Sequence, residues 1–169
     1  MNAALSSWNE AEPKGAFDAM LACCGARRWA EAMVALRPIG SVLELSAAAD
    51  HIWSTMEEAD WMQAFDCHPR IGERTAPHAS QKSAAWSRQE QSRASSAAER
   101  VLAELAAGNA LYEQRFGFTY IVCATGKSAE EMLAILIRRL ASDRAAEMRE
   151  AADQQRQITQ IRLGKWLIE

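Results

Sequence analysis

The sequence predicts an all-α fold, a single-domain bundle of several helices, and three observations carry that prediction. Apolar residues recur at helical spacing through most of the 169 positions. The chain is rich in Ala and sparing of Gly and Pro, with 8 and 4 respectively, which favours helix. Only the run Phe116 to Cys123 is rich in β-branched and aromatic residues, and one isolated strand has no partner with which to form a sheet.

Taken in order, Glu12-Pro13 followed by Phe17, Met20, Leu21 and Cys24 reads as a proline-started helix stopped by Gly25. Trp29, Met33, Val34 and Leu36 continue the pattern as far as Pro38. Ser41 can cap the next helix, on which Val42, Leu45, Ala49, Ile52 and Trp53 share a stripe, and Trp61, Met62 and Phe65 belong to another. After the stretch from Thr75 to Ser83, Ser87-Arg88-Gln89-Glu90 has the spacing of a capping box. It predicts a helix from there to Ala107, interrupted at Gly108 or Asn109. The run from Phe116 is expected to be an extended or irregular buried segment. Ser128-Ala129-Glu130-Glu131 is a second capping box leading into Met132, Leu133, Leu136, Ile137 and Leu140, and Ser142 or Asp143 opens a final helix to about Leu167.

Length argues for one domain, residues 1–169, at most with two closely packed helical lobes. Hydrophobic residues at 49% and charged residues at 24% are ordinary globular usage. A net charge of −3 without a broad basic patch argues against a nucleic-acid partner. No apolar run approaches the roughly 20 residues of a membrane helix, and the N-terminal residues lack the basic-then-apolar order of a secretory signal. The final Lys165-Trp166-Leu167-Ile168-Glu169 does not match a peroxisomal address, so a cytoplasmic protein is expected. Cys23, Cys24, Cys67 and Cys123 have neither metal-pair nor disulfide-framework spacing and read as reduced thiols.

The segment Asp66-Cys67-His68-Pro69-Arg70-Ile71-Gly72-Glu73 offers the strongest chemical signal. It sets an imidazole beside a rigid turn in a chain with only three histidines. Pro69 fixes its own φ and pushes His68 out of the helical region, so the ring should project from a defined bend just past a helix end. Gly72 would then let the chain re-enter ordered structure.

Other suggestive residues have plainer explanations. Gly126-Lys127-Ser128 copies the tail of a phosphate-binding loop, but Ile121 stands where that motif needs its first Gly, and a helix cap explains the residues better. Cys67 has no evident base-orienting group for thiol catalysis. His51 and His78 form no metal-ligand pattern with His68, and no metal is expected. The six tryptophans fall on helical stripes and read as core.

Several segments together resemble the OHCU decarboxylase family. They are His68-Pro69-Arg70-Ile71-Gly72, Ser87-x-x-Glu90-Gln91, Tyr112-x-x-Arg115-Phe116-Gly117-Phe118, the Gly126-Lys127-Ser128 turn, Arg138-Arg139-Leu140 and Ile161-Arg162-Leu163, with Arg37-Pro38 near the start. The chain departs from the family pattern at Ile39, where Phe is usual, and at Thr119, where Pro is frequent; neither change removes a chemical group. The resemblance implies an all-α bundle, commonly a homodimer, with a ligand cleft between helices. It also implies a lyase without cofactor that decarboxylates 2-oxo-4-hydroxy-4-carboxy-5-ureidoimidazoline, a small anion, to (S)-allantoin. By motif position, His68 would be the central catalytic residue, with Glu90 and Arg162 facing the substrate and Ser87 adding a hydroxyl hydrogen bond. Pro69 would shape the wall beside His68, and backbone groups in the segment holding Phe118, Tyr120, Ile121 and Val122 would bind the substrate's polar atoms.

Two further readings compete with this one. One is metal-assisted hydrolysis of a ureido or imide bond by His68 with Glu73 or Glu90; the other is a helical interaction module without chemistry, for which the stripes alone suffice.

Overall fold

The structure, a computed structural model, describes residues 2–71, 80–90 and 99–169. Nine α-helices and no strand occur among the described residues: α1 Ala3–Glu10, α2 Pro13–Cys24, α3 Arg27–Ala35, α4 Val42–Ser54, α5 Glu58–Phe65, α6 Gln81–Glu90, α7 Glu99–Phe116, α8 Ala129–Arg139 and α9 Arg144–Trp166. None is long and apolar enough to cross a membrane. The chain folds as two compact units, one formed by Met1–Ala64 with Arg156–Glu169 and the other by Phe65–Gln155.

In the first unit local chemistry sets the helix ends. Asn2 caps α1 through its Oδ1, which accepts from the Leu5 N–H at 3.1 Å. Pro13 opens α2, and Gly25 closes it at φ 90°, a left-handed value that glycine alone adopts without a Cβ penalty. Ser41 accepts from the Glu44 N–H and caps α4. At the C-terminal end of α1, Arg37 donates to the carbonyls of Trp8 and Ala11 at 2.8 and 2.7 Å, putting a cation where the helix dipole favours one. The core is built on tryptophans whose indole N–H groups are satisfied by backbone: Trp8 donates to Ala16 O and the fully buried Trp29 to Ala49 O. Gln160 on α9 donates to Ser46 O and Asp50 Oδ1 on α4, tying these two helices together.

The second unit is organised by α7 and α8. Gly108 sits where a Cβ would lie 2.6 Å from the Leu136 side chain, so the absence of a side chain permits the close approach of the two helices. Phe65, Tyr112, Phe116, Phe118 and Tyr120 form a connected aromatic cluster, with ring centroids 4.7 to 6.2 Å apart. Beside it Arg139 and Glu147, each about 1% exposed, form a buried ion pair that also holds the Tyr112 hydroxyl. Burial would by itself depress the Arg139 guanidinium; its hydrogen bond to Glu147 and the surrounding groups outweigh that and hold it above its usual value.

Most of the predicted elements are present; one helix is additional and two boundaries differ. The chain begins with an additional short helix, α1. The helix holding Ser87 starts at Gln81, capped by the Ser80 hydroxyl, which accepts from the Ser83 N–H at 3.1 Å; Ser87 lies nearly two turns inside it. Gly108 and Asn109 lie within α7 and do not interrupt it, because Gly108 serves packing. By contrast Ser128 and Glu131 form the predicted capping box, and the Asp143 side chain accepts from the Ala146 N–H at the start of α9. The readings that fall on Gly72, Glu73, His78 and Gln91 lie outside the described residues.

Candidate active site

Helix α5 ends at Phe65, and the His68 N–H donates to the Phe65 carbonyl at 3.0 Å, closing a turn that carries the imidazole off the helix axis. Pro69 is buried and His68 is half-buried, so the bend holds the imidazole partly out of water. The ring's Nε2 is 2.7 Å from Oε1 of Gln155, a fully buried residue of α9. Sequence reasoning missed Gln155. No local pattern marks a residue 87 positions from His68.

Two turns into α6, Ser87 is 2% exposed, and Glu90 is half-buried at the helix's last position. Three residues apart on one helix, the hydroxyl and the carboxylate share a face. Because α6 starts at Gln81, Ser87 and Glu90 lie inside the helix and not at its N-terminus, where a capping box would act.

The third component is the irregular segment. Phe118, Tyr120, Ile121 and Val122 are each less than 10% exposed although no helix or strand includes the stretch after Gly117. Buried backbone without regular structure needs other hydrogen-bond partners, and side chains supply them. Gln154 Oε1 accepts from the Cys123 N–H at 2.8 Å, Arg139 donates to Ile121 O at 2.5 Å, and Lys127 donates to Cys123 O at 2.8 Å. Tyr120 donates to Met132 O at 3.0 Å. Burial raises both tyrosine hydroxyls, Tyr112 and Tyr120, well above their usual ionisation range, so each remains a neutral donor. The Arg139 guanidinium also lies over the Tyr120 ring at 5.0 Å. Sequence reasoning assigns no role to Gln154 or Arg139, although Arg139 stands in one of the motifs.

His68, Pro69, Ser87, Glu90 and the segment 118–122 thus belong to one compact unit, while Arg162 lies on the part of α9 that belongs to the other. Arg162 is 1% exposed, far from the surface arginine that its sequence position alone would suggest. Among the described residues no three of His, Cys, Asp and Glu are grouped as a metal site would need. The Gly126-Lys127-Ser128 turn has Gly126 at φ 81° and Ser128 as helix cap, the role the sequence assigns it.

The family model described as OHCU decarboxylase matches residues 9–164. The chain is 35% identical over 144 residues to the uric acid degradation bifunctional protein TTL of Arabidopsis thaliana, covering 85% of this chain; it spans only 44% of that relative's length. It is 30% identical over 135 residues to the 2-oxo-4-hydroxy-4-carboxy-5-ureidoimidazoline decarboxylase of Amia calva, covering 75% of this chain and 73% of the relative. Among solved structures it is similar to an OHCU decarboxylase crystallised in the presence of (S)-allantoin, with 30% identity, a TM-score of 0.77 and coverage of 94% of this chain and all of the other. A crystal structure of (S)-allantoin synthase, 17% identical with a TM-score of 0.72, shares the fold. With more than nine-tenths of its length matched by the family model, and the His-Pro turn, the Ser-Glu face and the buried arginine at their motif positions, the chain belongs to the OHCU decarboxylase family.

Proposed function

We propose that this protein decarboxylates 2-oxo-4-hydroxy-4-carboxy-5-ureidoimidazoline to (S)-allantoin in urate breakdown, without a cofactor. The family match over residues 9–164 carries the reading, and the relatives named for that reaction support it. In the reaction the bond from ring carbon to carboxylate breaks and its electron pair passes toward the adjacent ring C=N. Carbon dioxide leaves, the neighbouring hydroxyl becomes a carbonyl as its proton departs, and one face of the planar intermediate is protonated. One proton is taken up from solvent for each carbon dioxide released. The substrate is its own electron sink, so the protein need only orient it and move protons.

His68 fits the proton-handling role: an imidazole titrates near neutrality, and this one is half-buried on a rigid bend. Glu90 accepts hydrogen bonds from ring or ureido N–H groups, Ser87 adds a hydroxyl, and Arg162 clamps a carboxylate or carbonyl oxygen through its planar fork. Pro69 walls the ring, and the backbone of residues 118–122 binds the remaining polar edge. The burial of Arg162 and Ser87 and the half-buried placement of His68 and Glu90 support these roles, since groups dispersed in bulk solvent could not orient a small anion. The same family reading carries a homodimer acting in the cytoplasm on a small anionic substrate.

The test generates the unstable substrate in place from urate with urate oxidase and hydroxyisourate hydrolase, then follows optical activity as this protein is added. Accelerated appearance of a single allantoin enantiomer is expected. Racemic product at the spontaneous rate would reject the proposal.

A further inference from the structure

Gln154 and Gln155 are consecutive residues of α9 that reach two different parts of the candidate site. Gln154 holds the irregular segment by accepting from the Cys123 N–H at 2.8 Å, and Gln155 Oε1 stands 2.7 Å from His68 Nε2. Gln155 is fully buried, so its carboxamide is positioned by packing and not by solvent. A carboxamide oxygen only accepts, so the hydrogen of this contact belongs to the imidazole. In a neutral ring with its hydrogen on Nε2, the lone pair is on Nδ1.

We propose that Gln155 is a positioning residue of the decarboxylation: it fixes His68 as the Nε2–H tautomer and makes Nδ1 the atom at which the ring takes and returns the proton. This rests on the decarboxylase reading, in which His68 handles protons. A glutamine suits the task because it accepts from both the neutral and the protonated ring while carrying no charge of its own. It therefore holds the ring's orientation through the cycle without an opposite charge that would retain the proton on the imidazole. A carboxylate at this place would stabilise the imidazolium and slow the return of the proton.

The test records long-range proton–nitrogen correlation spectra of the full chain labelled with 15N-histidine. Only three histidines are present, and His68→Ala assigns the signal. The wild type is expected to show His68 as the Nε2–H tautomer at pH values where the ring is neutral. Gln155→Leu should lose that preference and lower kcat by about 10- to 100-fold with KM changed less than about threefold, as for a reacting group left loosely oriented. Gln155→Glu keeps an acceptor and, if the leucine variant fails to fold, still reads the contact: its His68 signal should remain Nε2–H and titrate at higher pH than in the wild type. An Nδ1–H tautomer in the wild type, an unchanged tautomer in Gln155→Leu, or an unshifted titration in Gln155→Glu would overturn the proposal. The spectra need no turnover, so an inactive wild type with the expected tautomer would sink the decarboxylase reading, whereas an active wild type with the Nδ1–H tautomer would sink only the role of Gln155.

Discussion

Among single residues, Arg162 makes the sharpest prediction after His68. A guanidinium 1% exposed is desolvated, and in the proposed role its value to an anionic substrate lies in two parallel hydrogen bonds that an ammonium cannot reproduce. Arg162→Lys keeps the charge and loses the fork. It is expected to raise KM about 10-fold, near 1.4 kcal/mol of binding, while reducing kcat far less. Steady-state kinetics in the urate-coupled assay check this; an unchanged KM would remove Arg162 from the groups that bind substrate. The roles proposed for His68, Glu90 and Arg162 were legible in the sequence only through joint motif positions. His68-Pro69 is a local bend and can be read from two residues, whereas the Gln155 contact depends on how two distant segments fold together.

At the scale of elements, readability followed locality. Pro13 and Gly25 bracket α2, and Ser41 and Ser128 start α4 and α8, because each acts on backbone within four residues of itself. The Ser87–Glu90 spacing misleads for the same reason: the pattern is local, but the hydroxyl that does cap the helix, Ser80, is seven residues earlier, which leaves Ser87 and Glu90 on one face of a formed helix. Gly108 illustrates the opposite case, a residue that looks like a helix breaker and is retained for interhelical contact. Gly108→Ala would ordinarily gain up to about 1 kcal/mol of helix propensity. Here the new Cβ would lie 2.6 Å from buried Leu136, and overpacking of that kind costs about 1–3 kcal/mol. Denaturant unfolding should therefore show no gain in stability or a net loss; a gain of the full helix-propensity increment would show that α7 and α8 have room to spare.

Across the whole molecule, the fold class and the family were legible because helical periodicity and ordered motifs run through nearly the entire chain, while the buried polar framework under the irregular segment was not. That framework has a measurable consequence in alkali. The chain has only two tyrosines, Tyr112 and Tyr120, and burial is the largest cause raising both above the ordinary value of 10.0. The folded state then binds these protons more tightly than the unfolded state. The associated stability is present in full below about pH 10 and is lost as pH rises from there toward the folded values. Absorbance by tyrosinate should be absent from the folded protein at about pH 10, with ionisation appearing together with loss of helical circular dichroism at higher pH. Half-ionised tyrosine at that pH in a still-helical protein would contradict the buried placement. The central claim, that His68 handles protons in a stereoselective decarboxylation, is tested most directly by comparing wild type and His68→Ala in the urate-coupled assay at equal, circular-dichroism-verified folding. Single-enantiomer allantoin is predicted from the wild type and the spontaneous racemic rate from the variant; full stereoselective turnover by His68→Ala would contradict the claim.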